Sequence, residues 1–281
     1  MATASIPVEV FNPGQVFACM GFLEAAEALR GPAEGGFDWT GEPRFTLHIG
    51  GAENPIEVVL AFLADAVAEP IDPGNASQPG SDTFPAQKPD AMSLPITLRN
   101  GHHCLVLSHW ADGCRTRETF KLYAGNRSAL DIARKMLGRD TKDSASGIHA
   151  LWTHQRSALL ADPLGICTPM IGRFSFDPRG NWTALGAGYS LKDLPKQLKQ
   201  QVMASPVVEL LAPLGLEHAR PAEIALRSYR YAIWNERLPP QLARAALSGH
   251  LTTHTQRHFH FLVDDSGKNK VVCYSTEETT P

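Results

Sequence analysis

Long apolar runs are missing from this sequence. Its 281 residues contain nothing near the roughly 20 apolar residues that a bilayer crossing requires. The best candidate, Ile56 to Ala68, is too short and is interrupted by Glu57 and Asp65, so no membrane partner is expected. The N-terminus lacks a basic stretch followed by an apolar one, and no secretory signal is expected either. Cysteine is sparse, with five residues scattered at Cys19, Cys104, Cys114, Cys167 and Cys273. An odd, scattered set suits free thiols in a reducing compartment better than a disulfide framework, so a cytoplasmic protein is expected. Catalytic signatures are absent as well: no glycine loop ending in Gly-Lys-Ser/Thr, no G-x-G-x-x-G, no H-E-x-x-H, no G-x-S-x-G. Gly186-Ala187-Gly188 is a fragment of a dinucleotide fingerprint and reads more simply as a small-residue turn. These absences point away from a free-standing enzyme, and neither a cofactor nor a metal is expected.

Basic residues are scarce in the first third. Only Arg30, Arg44 and Lys88 precede Arg99, against thirteen acidic residues, which leaves −10; the remainder holds twenty-three basic and sixteen acidic residues, leaving +7. Such a split suggests that the later part faces a polyanion, with a chance gradient on solvated faces as the plain alternative. Hydrophobic residues at 43% and charged residues at 20% are ordinary for a globular chain of this length, which can bury a sizeable core.

What is there reads as mixed helix and strand. Ile6 to Phe11 alternates as a strand. Asn12-Pro13-Gly14-Gln15 then opens a helix: Asn12 can cap, Pro13 suits the first helical position, and Gln15 can close a capping box. That helix ends near Gly31-Pro32. Phe45 to Ile49 is a strand, and Asn54-Pro55 opens a helix to about Ala68. The stretch 70–95 carries six prolines and reads as a loop or linker. It divides the chain into an N-terminal α/β part (1–69) and a basic α+β part (96–281). Asn100-Gly101 marks a hairpin between Ile96 to Leu98 and Cys104 to Ser108. Strands are expected over Arg115 to Tyr123 and Ile171 to Phe176. Helices are expected over Ser128 to Leu137, His149 to Leu160, Lys192 to Ala204 and Pro239 to Leu247. Leu226 to Trp234 fits strand or helix, and a hairpin from Arg257 to Tyr274 closes the chain. The expected fold is α+β, with mainly antiparallel strands in one large domain or two closely packed subdomains.

Two histidine clusters are candidate chemistry. His102, His103, Cys104, His109 and Cys114 gather possible ligands without a Cys-x₂₋₄-Cys knuckle, so a zinc site is not favoured. His254, His258 and His260 form the other. On a strand, His258 and His260 share one face and Phe259 and Phe261 the other, which a half-exposed strand explains. A metal-dependent or hydrolytic enzyme built on these histidines is the alternative of another class. More suggestive are three basic and aromatic groups. Arg115, Arg117, Lys121 and Arg127 crowd round Phe120 and Tyr123. Arg173 and Arg179 stand with Phe174, Phe176 and Trp182. Arg227, Tyr229, Arg230 and Arg237 stand with Tyr231 and Trp234. Cations for phosphates and flat rings for unstacked bases are what nucleic-acid surfaces need. Aromatics at alternating positions with solvated arginines are the plainer reading.

Three segments resemble a known family. They are Val8-Glu9-Val10-Phe11-Asn12-Pro13-Gly14-Gln15-Val16-Phe17-Ala18-Cys19-Met20-Gly21-Phe22-Leu23-Glu24; Phe174-Ser175-Phe176-Asp177-Pro178-Arg179, continued by Trp182-Thr183-Ala184-Leu185-Gly186-Ala187-Gly188-Tyr189-Ser190; and Tyr229-Arg230-Tyr231-Ala232-Ile233-Trp234 before Leu238-Pro239-Pro240. In order and spacing they resemble a subunit of type I-U (also called I-G) CRISPR systems, in the large-subunit, Cas-eight-like family. The resemblance implies a nucleic-acid-binding subunit of a Cascade-type surveillance complex. Its partners would be guide RNA, target DNA and the other effector subunits, with strand cleavage left to a separate helicase-nuclease. A protein–protein scaffold within such a complex, touching no nucleic acid, is the second reading.

Overall fold

The computed structural model describes residues 1–71, 94–108, 110, 120–123, 128–139, 146–170, 172–180, 202–251, 255–266 and 269–278. The fold is α+β. Its first part follows the order β1 (Ala2–Pro7), α1 (Pro13–Arg30), β2 (Ala33–Asp38), β3 (Arg44–Ile49), α2 (Pro55–Asp65), β4 (Val67–Pro70). Strand β3 lies between β1 and β2 and is antiparallel to both, so β1 and β2 run parallel across it, joined by α1. This is the split β-α-β connection. The fourth strand does not return to β1. It pairs instead with β5 (Ile96–Asn100), which pairs with β6 (His103–Leu107). The proline-rich stretch therefore leaves and re-enters at adjacent strands, with Pro70 opposite Ile96; residues 72–93 lie outside the described residues.

Local signals account for the well-formed elements. The Asn12 side chain accepts from the Gln15 amide, and Pro13 opens α1. Gln15 does not close back on Asn12 as a capping box would; its Oε1 accepts from the Glu9 amide at 2.7 Å, one turn upstream. Asn54 caps α2, Ser128 caps α3 (Ala129–Leu137), and Gly138 ends α3 in the left-handed region at φ 79°. Gly101 (φ 58°) takes the first turn position between β5 and β6, which a II′ turn assigns to glycine.

The middle departs from expectation. Strand β1 sits at Ala2–Pro7, and 8–12 turn into the helix rather than extending it. The expected helix over 149–160 is broken at Gln155 into α4 (Ile148–His154) and α5 (Arg156–Ala161). Residues 172–176 form no strand. They are a loop ending in one 3-10 turn at Pro178–Gly180. Residues 120–123 are not strand either, and 111–119 lie outside the described residues. Of the helix expected over 192–204, residues 192–201 also lie outside, while Met203–Ala204 is strand β8, paired with β7 (Thr168–Pro169). A helix that the sequence reading did not place is α6 (Pro206–Gly215), capped by Ser205.

Helix α1 is buried almost all round and forms the spine. One side carries the β1-β3-β2 sheet and the other α6. The two helices touch at glycines: a Cβ on Gly21 would collide with the Leu211 carbonyl, and one on Gly215 with the Phe17 carbonyl. The second sheet runs β12 (Asn269–Val272), β11 (Gln256–Ser266), β10 (Ser228–Trp234), β9 (Ala222–Ala225), with β13 (Thr276–Glu277) against β11. It lays Tyr231 and Phe261 onto Phe17, with Tyr231 stacked on Phe259 at 5.3 Å between centroids. Trp234 Nε1 donates to the Gly35 carbonyl at 2.9 Å, and Leu238 exchanges backbone bonds with Gly35. Helix α7 (Pro240–Leu247) closes beside α1, where Arg244 holds Glu24 in a two-point pair. The residues before and after the proline-rich stretch share one hydrophobic cluster.

Candidate functional site

The described parts of the three segments singled out in the sequence meet at one buried junction, while residues 182–190 lie outside the described residues. Asn12, at the head of α1, donates from Nδ2 to Asp177 Oδ1 at 3.3 Å, across 165 residues of chain. Gly14 lies so close to the Phe176 carbonyl that a Cβ would not fit. From the third segment, Tyr231 donates its hydroxyl to the Val10 carbonyl at 2.6 Å and shares a bond with Ser275. Burial pushes that phenol well above its usual range. Alternating aromatics on β10 are thus core, as their period allows.

Asp177 is the hub. Its carboxylate is fully buried and accepts from the Ser205 amide at 2.9 Å, from the Arg179 amide, and from Arg179 Nε and Nη2 at 2.9 and 2.7 Å. Arg179 also donates to the carbonyls of Leu164 and Gly165. A second carboxylate, Glu209 in the first turn of α6, accepts the amides of Ser175 (2.7 Å) and Asp177 (2.9 Å), with Arg173 at 3.7 Å. Burial raises the Glu209 pKa, against the pull of Arg173 and the two amides. Arg173 donates to the Gly180 carbonyl. These bonds hold Ser175 at φ 72°, a left-handed conformation that non-glycine residues seldom adopt. The cluster ties the heads of α1 and α6 to one loop. Its donors and acceptors face each other within the loop and the two helix heads. Beside it opens a cleft of about 470 Å³ lined by Glu9, Phe11, Gln15, Glu42, Asp162 and Arg179.

The residues expected on a nucleic-acid surface are therefore divided. Arg173 and Arg179 turn inward onto Glu209 and Asp177. Tyr229 is buried and stacked on Phe261 at 5.5 Å. Arg227 (φ 61°) turns the chain between β9 and β10 and pairs with Asp265. Arg230 pairs with Glu278 at 2.7 Å. Lys121 lies over the Tyr123 ring at 5.2 Å. Arg237 is exposed, beside the first sheet. Arg115, Arg117, Arg127 and Trp182 lie outside the described residues. Sequence reasoning missed the acidic partners, because an arginine in a string carries no sign of which carboxylate will reach it.

The histidines are likewise dispersed. His102, His103 and Cys104 are exposed at a strand turn, while His109, Cys114 and His254 lie outside the described residues. Among the described residues no group of three His, Cys, Asp or Glu side chains is placed to hold a metal. Phe259 and Phe261 are buried, with His258 and His260 on the half-exposed face. His260 Nε2 lies 2.7 Å from Ser228 Oγ, a pairing across two strands that the sequence did not reveal. No helix among the described residues is long and apolar enough to cross a membrane. Compared with known proteins, the chain matches no family model, no curated protein and no solved structure.

Proposed function

We propose that this chain is a non-enzymatic, nucleic-acid-binding subunit of an RNA-guided CRISPR surveillance complex of the type I-U class, working in the cytoplasm. It contributes to complex assembly and target DNA recognition, beside guide RNA, the other effector subunits and a separate helicase-nuclease. What supports the reading is the convergence at Asn12, Asp177 and Tyr231: the segments that resemble the family meet in one buried junction. Chance likenesses scattered through a chain have no reason to meet, whereas a shared fold requires its linked parts to be kept together. The test is co-expression with the genes that flank this one. The tagged chain is expected to bring down partner subunits and a guide RNA of defined length. Purification of the chain without RNA or partners, from cells making all of them, overturns the reading.

A second reading has its own observation. Ten of the described arginines close on carboxylates, including Arg227 and Arg230. Cations so engaged have less to give a phosphate, which favours a protein–protein scaffold inside the same complex. Recovery of partner subunits, with no cross-link from this chain to RNA or DNA, would select that reading.

A further inference from the structure

The arginines that escape pairing are informative. Among the described residues, Arg134 stands without a carboxylate in the last turn of α3, where the negative end of the helix favours a cation. Arg44 and Arg237 also lack one, and both belong to the outer face of the β1-β3-β2 sheet. Alternation on β3 puts Phe45, Leu47 and Ile49 into the core and leaves Arg44, Thr46 and His48 on the far side. Opposite them on β1 stand Ser5 (beside Thr46) and Thr3 (beside His48). Leu238 bridges Gly35 and is buried, so the neighbouring Arg237 projects on the outer side; burial of His48, and after it the Arg237 charge, disfavours the His48 imidazolium.

We propose that this outer sheet face binds single-stranded RNA, with Arg44 and Arg237 on phosphates and the hydroxyls of Thr3, Ser5 and Thr46 on riboses. The inference rests on the function proposed above and names the surface of this chain that would meet the RNA. Arg44 is held ready: its Nε donates to Ser5 Oγ at 3.0 Å and its Nη2 to the Ser5 carbonyl at 2.7 Å, which fixes the guanidinium along β1. Such preordering lowers the entropy lost when a phosphate docks. The hydroxyls form a linked row, with Thr46 Oγ1 on Ser5 Oγ at 3.3 Å and Thr3 Oγ1 on His48 Nδ1 at 2.7 Å. Hydroxyl donors and acceptors suit the 2′-hydroxyl, the group that distinguishes RNA from DNA. On the β2 side the face is covered: Gly36, opposite Thr46, is buried against the Glu236 carbonyl, so the exposed strip is the one that β1 and β3 share. An exposed strip with no protruding element admits single-stranded nucleotides, whereas reading a duplex needs an element that enters a groove. His48 is buried, so the strip is measured from Arg44 to the level of Thr3, four residue pairs along or about 13 Å, which sets a track of a few nucleotides. Two carboxylates bound the track on the β2 side. Asp38 is turned onto the Thr40 amide and hydroxyl, and Glu34 flanks His48.

The test uses the co-expressed complex with Arg44→Glu and Arg237→Glu together, and Arg134→Glu as control. RNA content, cross-links to single-stranded RNA, and the salt dependence of RNA binding are measured. The double variant is expected to lose cross-links from the β1 and β3 peptides and to flatten the log–log salt slope by about 1.4, roughly 0.7 per phosphate contact. The control is expected to match the wild type. If the reversals disturb folding by circular dichroism, Arg44→Gln with Arg237→Gln gives the same readout without added negative charge. Unchanged cross-links and slope in a folded double variant overturn the inference and leave the proposed function standing. Loss of DNA binding with RNA binding intact overturns it too, by assigning the face to DNA. A wild-type complex that carries no RNA overturns the function itself.

Discussion

Two pairs of arginines occupy opposite electrostatic situations. Arg173 and Arg179 are mostly buried, each facing a carboxylate with no exposed surface, in a junction where every partner is a hydrogen-bonding group of the chain. Arg44 and Arg237 stand on an outer sheet face without any carboxylate at ion-pair distance among the described residues. The first pair is bound to the fold: its charge balances two carboxylates that water cannot reach, so removing it leaves them uncompensated. The second pair balances no buried carboxylate, and Arg44 donates only to neutral groups of Ser5. The same residue type thus stands in two electrostatic situations according to what sits within 4 Å. A count of basic residues along the chain mixes the two.

The sharpest way to break this comparison is to remove one member of the inner pair. Asp177→Ala strands Arg179 and deprives Asn12 and the Ser205 amide of their acceptor. Breaking a buried ion pair from one side costs about 3–5 kcal/mol. Urea denaturation of the purified chain is expected to show a loss of that size, with Arg179→Ala close behind. A change below about 1 kcal/mol, the scale of exposed pairs, would place the junction with the surface. Reversing Arg179 is accordingly a folding experiment, not a test of nucleic-acid contact.

Glu209 sharpens the comparison through pH. Its pKa is raised by burial, so the folded state holds the proton more tightly than the unfolded chain, where the value is near 4.5. Stability linked to this group is therefore greatest at low pH. It declines as pH rises from about the ordinary carboxylate value towards the raised one. Glu209→Gln is expected to flatten that decline. It also loses roughly 1–3 kcal/mol at low pH, because an amide can accept only one of the two backbone donors it would face. Denaturation midpoints across a pH series check both parts. A slope identical in the variant would assign the pH dependence elsewhere.

How much of this was legible depended on whether the governing contact was local. The caps at Asn12, Asn54 and Ser128, the Asn100-Gly101 hairpin and the closing hairpin are set by residues within a few positions of one another, and the string displays them. Helix α6 was not legible: Ser205-Pro206 is a sound start, but Pro213 sits inside it and its faces are apolar all round. Strand β2 carries Gly35 and Gly36, which weaken any strand reading and are there because Phe45 and the Glu236 carbonyl crowd them. Phe174 to Phe176 alternates like a strand, yet Glu209, more than thirty residues ahead, captures its amides and makes it a loop. The junction itself was invisible for the same reason, since Asn12 and Asp177 are brought together only by the fold.

Asn12 joins the two scales, being both a local cap and a ligand of the hub. Asn12→Ala removes the acceptor for the Gln15 amide and the donor to Asp177. Loss of a cap alone costs about 0.5–2 kcal/mol. The upper end is expected here, with Asn12→Asp worse than its capping ability suggests, because a carboxylate would then face Asp177 in a buried site. If Asn12→Asp is as stable as the wild type, the contact between the two segments is weak and the junction is held by Arg179 alone.

The smallest effect is expected at Arg230. It lies on the outer face of the second sheet and pairs with Glu278, with side chains 41% and 30% exposed. Exposed pairs of this kind contribute no more than about 1 kcal/mol, so Arg230→Ala is expected to leave the denaturation midpoint almost unchanged. Its use is therefore as a probe of function without a folding penalty. Pairing to Glu278 gives Arg230 a carboxylate partner that a phosphate would have to displace, whereas Arg44 and Arg237 have no carboxylate partner among the described residues. In the assembled complex, Arg230→Ala is expected to weaken nucleic-acid binding far less than removal of Arg44 and Arg237, with a salt slope near that of the wild type. If Arg230→Ala instead lowers binding and salt slope as much as the double variant does, the carboxylate is a displaceable counter-ion. Freedom from pairing would then no longer mark the recognition surface, and the second sheet would share it.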